Sequence, residues 1–141
     1  MSPEKFLEDV LSAPTRLAAV LDAYEGASSP LHELPTRRVR RILFLGMGSS
    51  RFAALTAAAH LRARGLDAYA ELASTGLPTP PAPETLVVGI SASGSTVETV
   101  EALARHRGVA TTVAVTNRSG APIEDVADLT LPLLAGEEAG G

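Results

Sequence analysis

The sequence contains no cysteine and no tryptophan, and its aromatic residues are two tyrosines and three phenylalanines in 141 residues. Without thiols there are no disulfides, no thiolate metal site and no cysteine nucleophile. His32, His60 and His106 stand too far apart to form a metal-ligand motif, so no metal or other cofactor is expected. Lys5 is the one lysine, and chemistry that needs an amine inside a site must use it or do without. No apolar run reaches the roughly 18–20 residues of a membrane span. The opening MSPEKFLEDV carries acidic residues where a secretory signal has its apolar stretch. The expectation is a cytoplasmic protein with no membrane partner.

Positive charge is also scarce. Twelve basic and sixteen acidic residues give a net charge of −4, the wrong sign for binding a phosphate backbone. Arg37, Arg38, Arg40 and Arg41 form a local basic run, but no aromatic residue is interleaved with them. They are expected to be solvated or paired with local acids such as Glu33, with no nucleic-acid partner. What is present is a 45% hydrophobic, 20% charged composition, which suits one globular core and excludes a disordered tail.

The apolar pattern divides the chain in two. Phe6, Leu7, Val10 and Leu11, then Leu17, Val20, Leu21 and Tyr24, recur at helical spacing. Pro14 interrupts them and Ser12 could cap a second helix, predicting two short helices or one kinked one. Residues 25–36 read as a linker, so residues 1–36 are taken as an N-terminal helical segment and 37–141 as the main domain. From Ile42 onward, five strand-like runs (42–46, 67–72, 86–91, 109–116 and 128–134) alternate with helical stretches at 50–64, 95–107 and 122–127. Ser95 and Glu98 have capping-box spacing at the start of the second of these. This alternation predicts a three-layer αβα fold with a mostly parallel, doubly wound sheet. No helix follows the last strand, so the N-terminal helices, a partner subunit or a further part of a longer chain should cover the sheet's remaining surface.

Two strand ends carry small, hydroxyl-rich loops, Gly46-Met47-Gly48-Ser49-Ser50 and Ser91-Ala92-Ser93-Gly94-Ser95-Thr96. Ligands of open parallel sheets bind beyond the carboxyl ends of the strands. A helix N-terminus there offers unpaired N–H groups to an anion, and glycines admit close backbone approach. The same residue types are also what turns and caps prefer, but two such loops on neighbouring strands favour an anion site. Thr116 and Asn117 end the fourth strand and could line the same crevice. A dinucleotide site is the rival reading. Gly46 and Gly48 begin its fingerprint, but Arg51 stands where the third glycine belongs, and Asp67 and Glu71 are weak matches for its acid. Arg51 could instead pair with a phosphate, while His60 and His106 are expected on helix surfaces.

SASGST at 91–96, GMGSS at 46–50 and Thr116-Asn117 together resemble the sugar isomerase (SIS) domain family, nearest to the isomerase portion of glucosamine-6-phosphate synthase. The family's phosphosugar loop, Ser-x-Ser-Gly-x-Thr, is matched by Ser91, Ser93, Gly94 and Thr96. Its Gly-Thr-Ser segment is matched by Gly48, Ser49 and Ser50, with serine for threonine. The resemblance implies a sugar phosphate held by Gly48, Ser49, Ser50, Ser91, Ser93, Gly94, Ser95, Thr96, Thr116 and Asn117. It implies aldose–ketose isomerisation of a hexose phosphate, with or without amino transfer, or alternatively a non-catalytic phosphosugar-sensing domain. Ala92 and Ser95 depart from the synthase, which often has an amide and an acidic residue there. Ala135 to Gly140 resembles the family's Ala-Gly-x-Glu-x-Gly, and Glu138 takes the glutamate position, the one weak candidate for a catalytic base. The family's other proton-transfer residues lie in a second lobe and C-terminal tail, with no counterparts in this sequence. The chain is therefore expected to be the first lobe of a two-lobe protein or a homodimer, binding without appreciable turnover alone.

Overall fold

The computed structural model describes residues 2–136. A long helix, α1 (Pro3–Glu25), leads through two short 3-10 turns (Pro30–Glu33 and Thr36–Arg38) into a five-stranded sheet. Its strands are β1 (Arg41–Gly46), β2 (Asp67–Leu72), β3 (Thr85–Ile90), β4 (Thr111–Thr116) and β5 (Leu129–Pro132). Helix α2 (Gly48–Ala63) joins β1 to β2, α3 (Val97–Ala104) joins β3 to β4, and a 3-10 turn at Pro122–Val126 precedes β5. All four strand pairs are parallel and the spatial order is β2-β1-β3-β4-β5. The order reverses between β1 and β3, which makes their shared carboxyl end the switch point of a doubly wound sheet.

The central strands read as unbroken apolar runs because both their faces are covered. On one face Leu43, Leu45 and Val87 pack with Ala102 and Leu103 of α3 and with Ile123. On the other, Phe44, Leu86 and Val88 pack with Ala54 and Ala58 of α2. The helices present alanines to the sheet, so they lie close to it. At Gly46 and Gly89 the approach is closest: a Cβ on Gly46 would sit 2.9 Å from the Ser50 carbonyl carbon, and one on Gly89 would sit 3.1 Å from Leu103 Cδ2.

Several expectations are corrected. Of the two alternatives for the N-terminal segment the pair of short helices is excluded: residues 3–25 form one helix with Pro14 inside it, and the Ser12 hydroxyl donates to the Asp9 carbonyl (3.0 Å) instead of capping a second helix. Strong helix formers on both sides of Pro14 carry the helix across the one lost donor. Helix α3 starts later and ends earlier than its spacing predicts, and its N-cap is Thr96, so the Ser95–Glu98 capping box does not form. Because the helix stops at Ala104, residue 106 leaves the surface face of the wheel, and His106 is buried at 2% exposure. Of the arginine run, Arg40 pairs with Glu84 (3.0 Å) and Arg41 with Asp67 (2.9 Å), neither with Glu33. Arg41 also lies 5.9 Å from the Tyr69 ring centre. Helix α1 does not cover the sheet: it buries none of its residues, and Ile90, Val115, Leu129 and Leu131 are only partly covered. No helix among the described residues is long and apolar enough to cross a membrane.

Candidate functional site

Gly46 and Ile90 are opposed in the β1–β3 register, so the loops that follow them leave the sheet side by side. Helices α2 and α3 pack on opposite faces of the sheet, so the two loops diverge beyond the strand ends, the arrangement that opens a ligand crevice at a switch point. Helix α2 opens from the first loop with Met47 as its N-cap, and α3 from the second with Thr96; neither side chain bonds an N–H group of its own helix. Helix α1, by contrast, is capped: the Ser2 hydroxyl oxygen accepts from the Lys5 N–H. The two helices that meet the switch point therefore keep their first-turn N–H groups free. Those groups carry the partial positive charge of a helix N-terminus.

The 91–96 loop divides into a braced floor and an open rim. The buried Ser91 hydroxyl accepts from the Gly94 N–H (3.1 Å) and shares a hydrogen bond with the Thr96 hydroxyl (3.1 Å). Gly94 sits at φ +66° against Ala121 and Thr116, and its carbonyl accepts from the Ile123 N–H (2.9 Å). Ser93 and Ser95 are exposed. Ser93 Oγ accepts from the Ser95 N–H (3.3 Å) and the Ser95 hydroxyl (3.1 Å), so its own proton is left to donate outward. In the first loop, Gly48 (φ +50°) and Ser49 are exposed and Ser50 is half-buried, all in the first turn of α2.

Thr116 and Asn117 stand behind the second loop. Thr116 is 2% exposed; its hydroxyl donates to the Ala92 carbonyl (3.2 Å) and accepts from the Arg118 N–H (3.3 Å). The Asn117 N–H donates to the same Ala92 carbonyl (3.0 Å), while its side-chain amide faces residues 135 and 136. A cavity of about 690 Å³ opens beside them, lined in part by Arg118, Glu124, Thr130, Pro132 and Leu134. Half-buried Arg51 makes no ion pair among the described residues. Asp67 is engaged by Arg41, and Glu71 accepts from the Thr79 N–H (3.0 Å) and hydroxyl (2.7 Å). Glu138 lies outside the described residues. Ala121 and Ile123 buttress Gly94, although nothing in their spacing marks them in the sequence. Among the described residues no group of three or more histidine or acidic side chains is placed to hold a metal ion.

The described site defines a class, a doubly wound α/β domain with uncapped helix N-termini and hydroxyl-rich loops at its switch point. The family model for the SIS domain matches residues 37–141, and the chain belongs to the SIS family. It is 38% identical over 104 residues to the glutamine–fructose-6-phosphate aminotransferase (isomerizing) of Aeropyrum pernix, a match covering 71% of this chain and 17% of that protein. The C-terminal domain of glucosamine-fructose-6-phosphate aminotransferase from Francisella tularensis superposes with a TM-score of 0.80 at 18% identity. That match covers 98% of this chain and 42% of the other. The Vibrio vulnificus NanR protein complexed with ManNAc-6P gives a TM-score of 0.68 at 18% identity, covering 86% of this chain and 49% of that one. The chain thus spans less than half the length of each, and the two structural likenesses concern the fold.

Proposed function

We propose that this chain binds a phosphorylated sugar at the carboxyl ends of β1 and β3, with the phosphate at the N-terminus of α3. The observation that carries the reading is the pair of uncapped helix N-termini opening side by side at the switch point. Free N–H groups there favour a dianion, and no metal is required to neutralise it. Gly48, Ser49 and Ser50 form one wall. Ser93 donates its hydroxyl to the phosphate, Ser95 turns that proton outward by donating to Ser93 Oγ, and Gly94 gives the loop its left-handed turn. Ser91, Thr96 and Thr116 brace the loop from within, and Asn117 stands behind it without touching the ligand. The bound sugar phosphate of NanR and the activities of the aminotransferase relatives support the ligand class.

In a completed assembly the reaction is aldose–ketose isomerisation of a hexose phosphate. A second SIS lobe or a second copy of this chain, as a homodimer, supplies what the reaction needs beyond binding. Isomerisation requires a base near the C1–C2 carbons, and Glu138 is its one candidate in this sequence. The cytoplasm, where hexose phosphates are made, is the proposed location.

Calorimetric titration with fructose 6-phosphate, glucosamine 6-phosphate and unphosphorylated fructose tests the reading. Both phosphates should bind and fructose should not. Ser93→Ala should weaken phosphate-dependent binding about tenfold or more, as expected for losing a hydrogen bond to a charged group. Equal binding of fructose and its phosphate would refute the site.

A further inference from the structure

The side chain of Asn117 is already committed within the protein. Its Oδ1 accepts from the Ala135 N–H (2.9 Å) and its Nδ2 donates to the Gly136 carbonyl (2.6 Å), two bonds to adjacent residues of the C-terminal segment. Its backbone N–H donates to Ala92, between Ser91 and Ser93, so one residue is bonded to the 91–96 loop and to the 133–136 segment at once. Thr116 repeats the pattern one residue earlier: its hydroxyl donates to the Ala92 carbonyl, and its own carbonyl accepts from the Leu133 N–H (2.9 Å).

The segment so held has an unusual course. Leu134 sits at φ +54°, the one non-glycine residue with positive φ among the described residues, and Gly136 at φ +76°. A left-handed leucine persists where neighbouring bonds over-determine it, and here the Leu133 and Ala135 N–H groups are fixed on either side. Helix α1 holds the segment from its other side. Tyr24 Oη donates to the Pro132 carbonyl (2.6 Å), and a Cβ on Gly136 would lie 3.3 Å from Arg16 Nε. Pro132, Leu134 and Gly136 form one wall of the cavity beside Thr116 and Asn117.

We infer that Asn117 is a positioning residue: its amide latches the C-terminal segment to the back of the 91–96 loop and so sets the wall that faces the sugar end of the ligand. This deepens the phosphosugar reading and rests on it. The amide holds the wall while the loop holds the phosphate, so the two functions separate on substitution. Inorganic phosphate engages the loop alone, whereas fructose 6-phosphate needs the wall as well.

The test compares wild type, Asn117→Ala and Asn117→Asp by amide hydrogen exchange and by titration with inorganic phosphate and fructose 6-phosphate. Asn117→Ala should speed exchange at Ala135 at least tenfold while leaving the β1 and β3 core amides protected. Phosphate affinity should stay within about threefold, and the preference for fructose 6-phosphate over phosphate should fall about tenfold. Asn117→Asp keeps the acceptor for Ala135 but loses the donor to Gly136, and should fall between wild type and Asn117→Ala in both readouts. Unchanged exchange at Ala135 overturns the latch. Accelerated exchange with an unchanged sugar preference overturns the positioning role. Loss of phosphate affinity as large as in Ser93→Ala makes Asn117 a direct ligand and overturns the inference too. If wild type binds neither probe, the phosphosugar reading fails, and the Ala135 exchange rate still decides the latch.

Discussion

At Gly94 two separate demands meet in one residue. Its φ of +66° is a conformation that costs an L-residue roughly 1–2 kcal/mol, and a Cβ there would lie 2.7 Å from Thr116 Oγ1 and closer still to Ala121 Cβ. Both obstacles are fixed, Thr116 by its bonds and Ala121 by burial. Gly94→Ala should therefore cost roughly 2–5 kcal/mol in urea unfolding, the sum of strain and overpacking, and should abolish phosphate-dependent binding. Gly48 isolates the first term: it shares a positive φ (+50°) but a Cβ there meets nothing within 4 Å. Gly48→Ala should cost only about 1 kcal/mol, and equal losses at the two glycines would show that crowding at Gly94 does not matter. His106 poses a different residue-scale question. It is buried with Nδ1 unpartnered, and burial pushes its pKa down, with Arg105 adding to the effect and Glu71 opposing it. A histidine whose folded pKa lies below its ordinary ~6.5 binds fewer protons folded than unfolded just below that pH. Its contribution to stability is therefore complete above about pH 6.5 and lost as pH falls from there toward the lowered folded value. Urea midpoints should drop between pH 7.5 and 5.5 in wild type, and the drop should shrink in His106→Leu; an identical drop in both would place the titration elsewhere.

Helix α3 shows most directly how an element can be sacrificed locally for a site. Ser95 and Glu98 have the spacing of a reciprocal cap, yet the helix opens at Val97 with no side-chain bond, because Ser95 is turned toward Ser93 and the Thr96 hydroxyl toward Ser91. The hydroxyls that would cap the helix shape the loop instead, and the N–H groups stay free. Short-range pattern therefore points to a hydroxyl-rich loop at this place in the chain but not to the bonds within it. Five strands, their order of appearance and both site loops were legible, since a buried parallel strand and a glycine-hydroxyl turn each leave a short-range pattern. What stayed hidden depends on long-range packing. The burial of His106 follows from where α3 stops, and the continuity of α1 through Pro14 from the residues on either side. The engagement of Asn117 by Ala135 and Gly136 links positions 18 and 19 residues apart. Arg40 and Arg41 found Glu84 and Asp67 rather than Glu33 because parallel register brings the starts of β1, β2 and β3 together.

On the scale of the whole molecule, α1 is the part whose chemistry is unfinished. At 100° per residue, Phe6, Leu7, Val10, Leu11, Leu17 and Leu21 fall on one stripe, and all are 49–70% exposed. Glu4, Glu8 and Asp22 lie on another side of the helix. The adjoining face, with Asp9, Ala13, Arg16 and Val20, borders Ala135 around a cavity of about 350 Å³, and Tyr24 reaches Pro132. The helix is therefore held to its own domain along one face and leaves a second, more apolar face uncovered. An exposed stripe of this kind marks an interaction surface, and the proposed homodimer or second lobe gives it an occupant. The same helix touches the segment that Asn117 latches, so a partner on α1 would bear on the sugar end of the site. In sedimentation velocity the wild-type chain should run as a dimer, and the Leu7→Glu/Leu11→Glu variant as a monomer. Both side chains are exposed in the single chain, so the variant's unfolding free energy, measured at a concentration where wild type has dissociated, should stay within about 0.5 kcal/mol of wild type. A wild-type monomer, or a variant that remains dimeric, would remove α1 from the interface and leave the second lobe of a longer chain as the remaining occupant for its stripe.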